Sequence, residues 1–70
     1  MIRTPVSSSN LVSVGFDPLS GTLEVEFRSG SVYLYFQVPR YVFDGLMSAN
    51  SKGSYFDEVI RNAFQYQRVN

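Results

Sequence analysis

From Thr22 to Arg28 the chain alternates without a break. Leu23, Val25 and Phe27 fall on one side, and Glu24, Glu26 and Arg28 on the other. Such period-two polarity describes a strand with one face in a core and one in water. Turn signals bracket it, Asp17-Pro18-Leu19-Ser20-Gly21 before and Ser29-Gly30 after. The first has Asp at its opening position, Pro with its preset φ, and Gly where the chain turns left-handed. A strand held between two tight turns pairs with what precedes and follows it, so this segment imposes an antiparallel meander.

The flanking segments fit that expectation. Leu11 to Phe16 alternates, with Val12, Val14 and Phe16 expected on one face and Leu11, Ser13 and Gly15 on the other. Ser7 to Asn10 reads as a polar lead-in or a bulge, since short hydroxyl side chains bond nearby backbone. Ser31 to Val38 returns as the third strand and stops at Pro39. The register of this second hairpin decides where its aromatic residues go, because a one-residue slip exchanges the faces. A two-residue turn at Ser29-Gly30 pairs Phe27 with Val32 and sets Tyr33 and Tyr35 beside the glutamates. A three-residue loop, Arg28-Ser29-Gly30, pairs Val25 with Tyr33 and Leu23 with Tyr35. The second is preferred, because a left-handed Gly30 suits its bulge and Ser-Gly is a poor type I′ pair. It leaves Val32, Leu34 and Phe36 together on the outer face of an edge strand.

The second half has helical spacing. Pro39 suits a first helical turn, where its missing N–H is not needed. Val42, Leu46 and Ala49, with Phe43 and Met47 beside them, follow the i, i+4, i+7 pattern. Gly45 weakens this helix by roughly 1 kcal/mol relative to alanine and marks a candidate close approach to the sheet. Ser51 is a good N-cap for a second helix, Ser54-x-x-Asp57 is an alternative start, and Phe56, Val59, Ile60 and Ala63 form its expected buried stripe. Phe64 to Val69 alternates and reads as a tail lying on the sheet. The expected fold is α+β, a single domain over 1–70: a three-stranded antiparallel meander followed by two C-terminal helices packed on one face. Leu23, Val25, Phe27, Val42, Leu46, Phe56 and Ile60 are expected to share its core.

Composition removes whole classes of function. The chain has no cysteine and no histidine. Disulfides, thiolate metal sites and the commonest general base are therefore excluded. Glu24 and Glu26 alternate outward on a half-buried strand, which is the ordinary place for solvated carboxylates. Asp57 and Glu58 are adjacent, about 100° apart on a helix, so they cannot act as a dyad. A serine nucleophile would have only Lys52 as base, at a spacing no lysine-dependent hydrolase uses. No glycine-rich phosphate loop is present. No catalytic residue, cofactor or metal is assigned. No apolar run approaches the ~20 residues that span a bilayer, and no signal-peptide pattern is present, so a cytoplasmic protein without a membrane partner is expected. Six basic residues balance six acidic ones, which limits any nucleic-acid binding to a weak, local patch and favours self-association.

Ser8-Ser9, Gly15-Phe16-Asp17-Pro18, Leu23-x-Val25-x-Phe27 with Gly30, Tyr33-x-Tyr35, Val38-Pro39, Ser51-Lys52-Gly53, and Ile60-Arg61 followed by Phe64 recur here in one order and spacing. In these the chain resembles the KTSC domain family, small domains found at the C-terminus of some lysyl-tRNA synthetases and as stand-alone bacterial proteins. Phe16 departs from the tyrosine common there. The resemblance implies a small binding module, with RNA the partner its synthetase context suggests.

Seven residues are candidates for that role. Tyr33 and Tyr35 suit base stacking, or alternatively a core position with their hydroxyls at the rim. Ser51, Lys52 and Gly53 suit a small anion site at a helix start, or alternatively a plain N-cap. Arg61 lies four residues after Asp57, the spacing of a helix ion pair. Arg40 is poorly placed for the helix dipole and is therefore a candidate contact. The competing function is a protein-interaction or self-associating module that adds a strand, or forms a homodimer, at the Val32, Leu34 and Phe36 strip.

Overall fold

Turn chemistry shapes the two central hairpins of the computed structural model, which describes residues 1–70. The Asp17 carboxylate accepts the Leu19 N–H and the Ser20 hydroxyl, each at 3.0 Å. These bonds, the Leu19 amide first, hold its carboxyl below the usual carboxylate range. The Gly21 N–H reaches back to the Asp17 carbonyl at 2.8 Å. Gly21 and Gly30 both have positive φ, at 73° and 96°, as their turns require. Around them run β2 (Leu11–Asp17), β3 (Thr22–Phe27) and β4 (Val32–Tyr35). Val25 lies opposite Tyr33 and Leu23 opposite Tyr35, the register of the three-residue loop.

The sheet has five antiparallel strands rather than three, in the order β1-β2-β3-β4-β5. The added edges are β1 (Thr4–Pro5), against β2, and β5 (Tyr66–Arg68), against β4. The expected tail on the sheet therefore extends it instead. Backbone bonds between Val32 and the Val69–Asn70 pair, and from the Phe36 N–H to the Gln65 carbonyl, continue the β5 contact at 2.8–3.3 Å. β4 is thus an inner strand and offers no free edge. Val32 is buried, and Leu34 and Phe36 are half-buried, so the strand-addition template expected there is absent.

A register shift between Leu11 and Ser13 corrects the expected faces of β2. A bulge inserts one extra residue, so Leu11 and Val14 both point into the core instead of opposing faces. The outer face carries the polar set. Arg3 pairs with Glu24 at 3.1 Å and Glu26 at 4.0 Å, and the Ser13 hydroxyl donates to Glu26 at 2.8 Å. One arginine thus faces both glutamates.

α1 (Arg40–Ser48) follows Pro39 and buries Val42 and Leu46. α2 (Lys52–Tyr55) is capped by the Ser51 hydroxyl, which accepts the Ser54 N–H. It runs directly into a π-helical turn, Phe56–Ile60, closed by the Arg61 N–H on the Phe56 carbonyl five residues back. This wider turn aims Phe56 and Ile60 inward and leaves Ala63 exposed, so the expected stripe ends at Ile60. Both helices cover one face of the sheet. Leu11, Val14, Leu23, Val25 and Tyr35 meet Val38, Val42, Leu46, Phe56 and Ile60 there, and Phe27 packs at the margin. Phe16 stacks on Phe43 with ring centroids 4.7 Å apart.

Candidate functional site

On the helix side of the sheet, a groove of about 320 Å³ opens between the β3–β4–β5 half and the π turn. Its walls are aromatic: Phe27, Tyr33, Tyr35, Phe56 and Tyr66. Strand register explains the grouping. Tyr33 and Tyr35 share a face of β4, and Tyr66 on β5 stands opposite Tyr35. Their rings form a triangle with centroids 5.7–6.3 Å apart. Phe27 meets Tyr33 edge-on at 5.6 Å, and Phe56 meets Tyr35 edge-on at 5.3 Å. Such contacts lock the rings and pre-organise the wall.

Arg61 supplies the positive charge. Its guanidinium lies over the Phe56 ring, 5.7 Å from the centroid, and pairs with Asp57 at 2.7 Å. Asn10, Ser29 and Ser31 complete the lining, which contains no carboxylate. The arrangement offers flat rings, one cation and neutral hydrogen-bonding groups. No group of three or more His, Cys, Asp or Glu side chains could hold a metal ion.

Of the candidates read from the sequence, Tyr33, Tyr35 and Arg61 meet in this groove. The others do not line it. The Lys52 ammonium donates to the Ala49 carbonyl at 3.1 Å, Ser51 caps its helix, and Gly53 faces Ser8. Arg40 pairs with Asp44 at 3.4 Å. Sequence reasoning missed Tyr66, Phe27, Phe56 and Asn10 as groove residues. The alternation Tyr66-Gln67-Arg68 carried the signal for the first of these, had it been paired with β4.

The profile of the KTSC domain matches residues 7–64, most of the chain and all three central strands. The chain belongs to the KTSC domain family. A crystal structure of a KTSC domain protein from Yersinia pestis superimposes with a TM-score of 0.96 at 42% identity, over 99% of this chain and 97% of that one. A protein of Stutzerimonas stutzeri (strain A1501) is 41% identical over 70 residues, 99% of each chain. The lysine–tRNA ligase of Nostoc sp. (strain PCC 7120) is 44% identical over 54 residues, which are 77% of this chain and 10% of the ligase. No helix of this KTSC protein is long and apolar enough to cross a membrane.

Within the KTSC match, Tyr33-x-Tyr35 builds the groove floor, whereas Tyr66 lies beyond its last residue. The floor is drier than the rim: Tyr35 is 4% exposed and Tyr66 is 59% exposed. Burial pushes the Tyr35 phenol up to about 12. Arg61 opposes the shift, and Tyr33 and Tyr66 reinforce it. The neutral phenol is the form the fold favours. Its contribution is fully present below the ordinary tyrosine value near ~10 and is lost as pH rises toward the raised one. Tyr35 should therefore contribute an ultraviolet ionisation step at about 12. Tyr35→Phe should remove that step and flatten the loss of stability between pH 10 and about 12. Identical alkaline unfolding of the variant and the parent would show that this phenol is not the cause.

Proposed function

We propose that this KTSC domain is a non-catalytic module that binds single-stranded RNA weakly through the aromatic groove. The observation that carries the reading is the wall of Tyr33, Tyr35 and Tyr66 beside Arg61, in a lining without carboxylates. Stacking of a base on such rings is worth about 1–3 kcal/mol and tolerates any sequence. The relatedness to a segment of lysine–tRNA ligases supports RNA as the partner. Six basic residues against six acidic ones restrict the phosphate contacts to a few. About three contacts on a single strand correspond to a log–log salt slope near about −2.

The test is a chemical-shift titration with a short unstructured RNA at low and moderate salt, alongside sedimentation of the free protein. Shifts should cluster on Phe27, Tyr33, Tyr66 and Arg61 and weaken along the shallow slope. Arg61→Ala should lower affinity for all sequences, since its charge reads phosphate and ring faces rather than base edges. Lys52→Ala and Arg40→Ala, outside the groove, should leave affinity unchanged. No shift with any RNA, together with a dimer that forms with concentration, would reject the RNA reading in favour of an interaction module.

A further inference from the structure

β5 forms one margin of the sheet, and its ladder with β4 fixes which of its backbone groups stay unpaired. The Phe36 N–H reaches the Gln65 carbonyl at 2.9 Å, and the Val69 N–H reaches the Val32 carbonyl at 2.8 Å. Inward-bonding residues alternate along an antiparallel strand, so Gln65, Gln67 and Val69 turn their backbone groups to β4. Those of Tyr66 and Arg68 point outward along the free edge. The opposite margin is closed to such pairing. On β1 the Val6 N–H bonds to the Val12 carbonyl, which turns Pro5 outward, and proline has no N–H to give. Nothing comparable blunts Tyr66-Gln67-Arg68. Its side chains are also complementary to one another. Tyr66 is largely exposed, and Arg68, on the same face, has no carboxylate partner. Its Nε is held by the Asn70 carbonyl at 3.0 Å, which leaves the rest of the guanidinium free.

We propose that two copies of this chain pair β5 with β5, antiparallel about a two-fold axis at Gln67, and so join their sheets into one. In that register Tyr66 lies opposite the partner's Arg68, and Arg68 opposite the partner's Tyr66. The outward N–H and C=O groups of each pair bond each other, and a guanidinium meets a ring on either side of the axis. Gln67 faces the partner's Gln67 on the other side of the sheet, where each carboxamide both donates and accepts. A two-fold contact uses both free edges at once, whereas a head-to-tail contact would have to run through Pro5. A net charge of zero sets no repulsion between the copies. Because Tyr66 is also a wall of the groove, the axis places two grooves side by side, with the partner's Arg68 at the lip of each. This interface does not depend on what the grooves bind. It is short, and the dimer should be weak.

Sedimentation equilibrium and amide chemical shifts of the full chain, from about 10 µM to about 1 mM, test this. The mass should rise from 7.9 kDa toward twice that value, with concentration-dependent shifts centred on Tyr66, Gln67 and Arg68. Arg68→Pro removes an outward N–H and leaves the β4 ladder intact. It should weaken the dimer roughly tenfold or more while the circular dichroism stays that of the parent. Gln67→Lys sets two like charges face to face at the axis and should weaken the dimer in a way that added salt relieves. A parent that stays monomeric at the highest concentration would overturn the proposal. So would shifts that map away from β5, or a dimer that Gln67→Lys keeps at parent strength. If Arg68→Pro fails to fold, the parent's shifts and the exposed Gln67 variant still decide.

Discussion

Phe56→Ala should unfold the domain or bring it to the margin of folding. Phe56 is 1% exposed and sits where sheet, π turn and groove meet. Its ring packs edge-on against Phe27 at 5.4 Å and Tyr35 at 5.3 Å, under the Arg61 guanidinium. Truncating a buried phenylalanine costs about 3–5 kcal/mol, from lost transfer energy and from the cavity left behind. A chain of 70 residues rarely has more than about 3–5 kcal/mol in hand. The expected result is a loss of the cooperative melt seen by circular dichroism, or a midpoint lowered by many degrees. An unchanged midpoint would remove Phe56 from the core. Because the same ring lines the groove beneath the Arg61 guanidinium, loss of binding in Phe56→Ala would not by itself locate the site.

Gly45→Ala should destabilise the domain, although helix propensity alone makes alanine better by about 1 kcal/mol. A methyl group at this position would stand 2.8 Å from Cζ of Tyr55, well inside contact distance. The ring cannot simply retreat, as its hydroxyl donates to the Val42 carbonyl at 2.9 Å. Overpacking of this kind costs about 1–3 kcal/mol. A net loss of up to roughly 2 kcal/mol is expected from urea midpoints. In a Tyr55→Ala background the obstacle is gone, and the same Gly45→Ala change should become stabilising. That reversal of sign separates packing from propensity, since pairs in contact are non-additive. Destabilisation of equal size in both backgrounds would refute the packing account.

The parts of the fold legible in the sequence were those with local causes. Asp17 and Gly21 announced the first turn, Gly30 announced the bulged loop, and the Leu23, Val25 and Phe27 alternation assigned the inner face that the register confirms. Ser51 was legible as a cap because its hydroxyl needs only the Ser54 amide three residues on. The misses had non-local causes. β1 is two residues long and contains Pro5, so it has no period of its own and exists by pairing with β2. The bulge after Leu11 moved one side chain across the sheet without any glycine to mark it. The π turn cut the helical stripe short of Ala63, a change of phase that a 3.6-residue period does not anticipate. For the site, Tyr33-x-Tyr35 pointed to the correct strand face. Its third ring stayed hidden because Tyr66 acquires its place only through the β4–β5 ladder. Lys52 looked free on paper and is committed to a helix carbonyl.

The strand order β1-β2-β3-β4-β5 has a kinetic consequence. Every strand is bonded only to those next to it in the chain. β1 to β4 are joined by short loops of small entropic cost, whereas β4 and β5 are joined by residues 36–65, which hold both helices. No parallel crossover delays the sheet. Among β-containing domains this places the protein toward the fast-folding end, with β3 flanked by two hairpins as the natural nucleus. Growth then proceeds outward in both directions, and the last pairings made are those of the exposed outer strands. Unfolding runs the same path backwards. Amide exchange should be slowest in β3 and fastest in β1 and β5, a gradient of protection that follows the order of the chain itself.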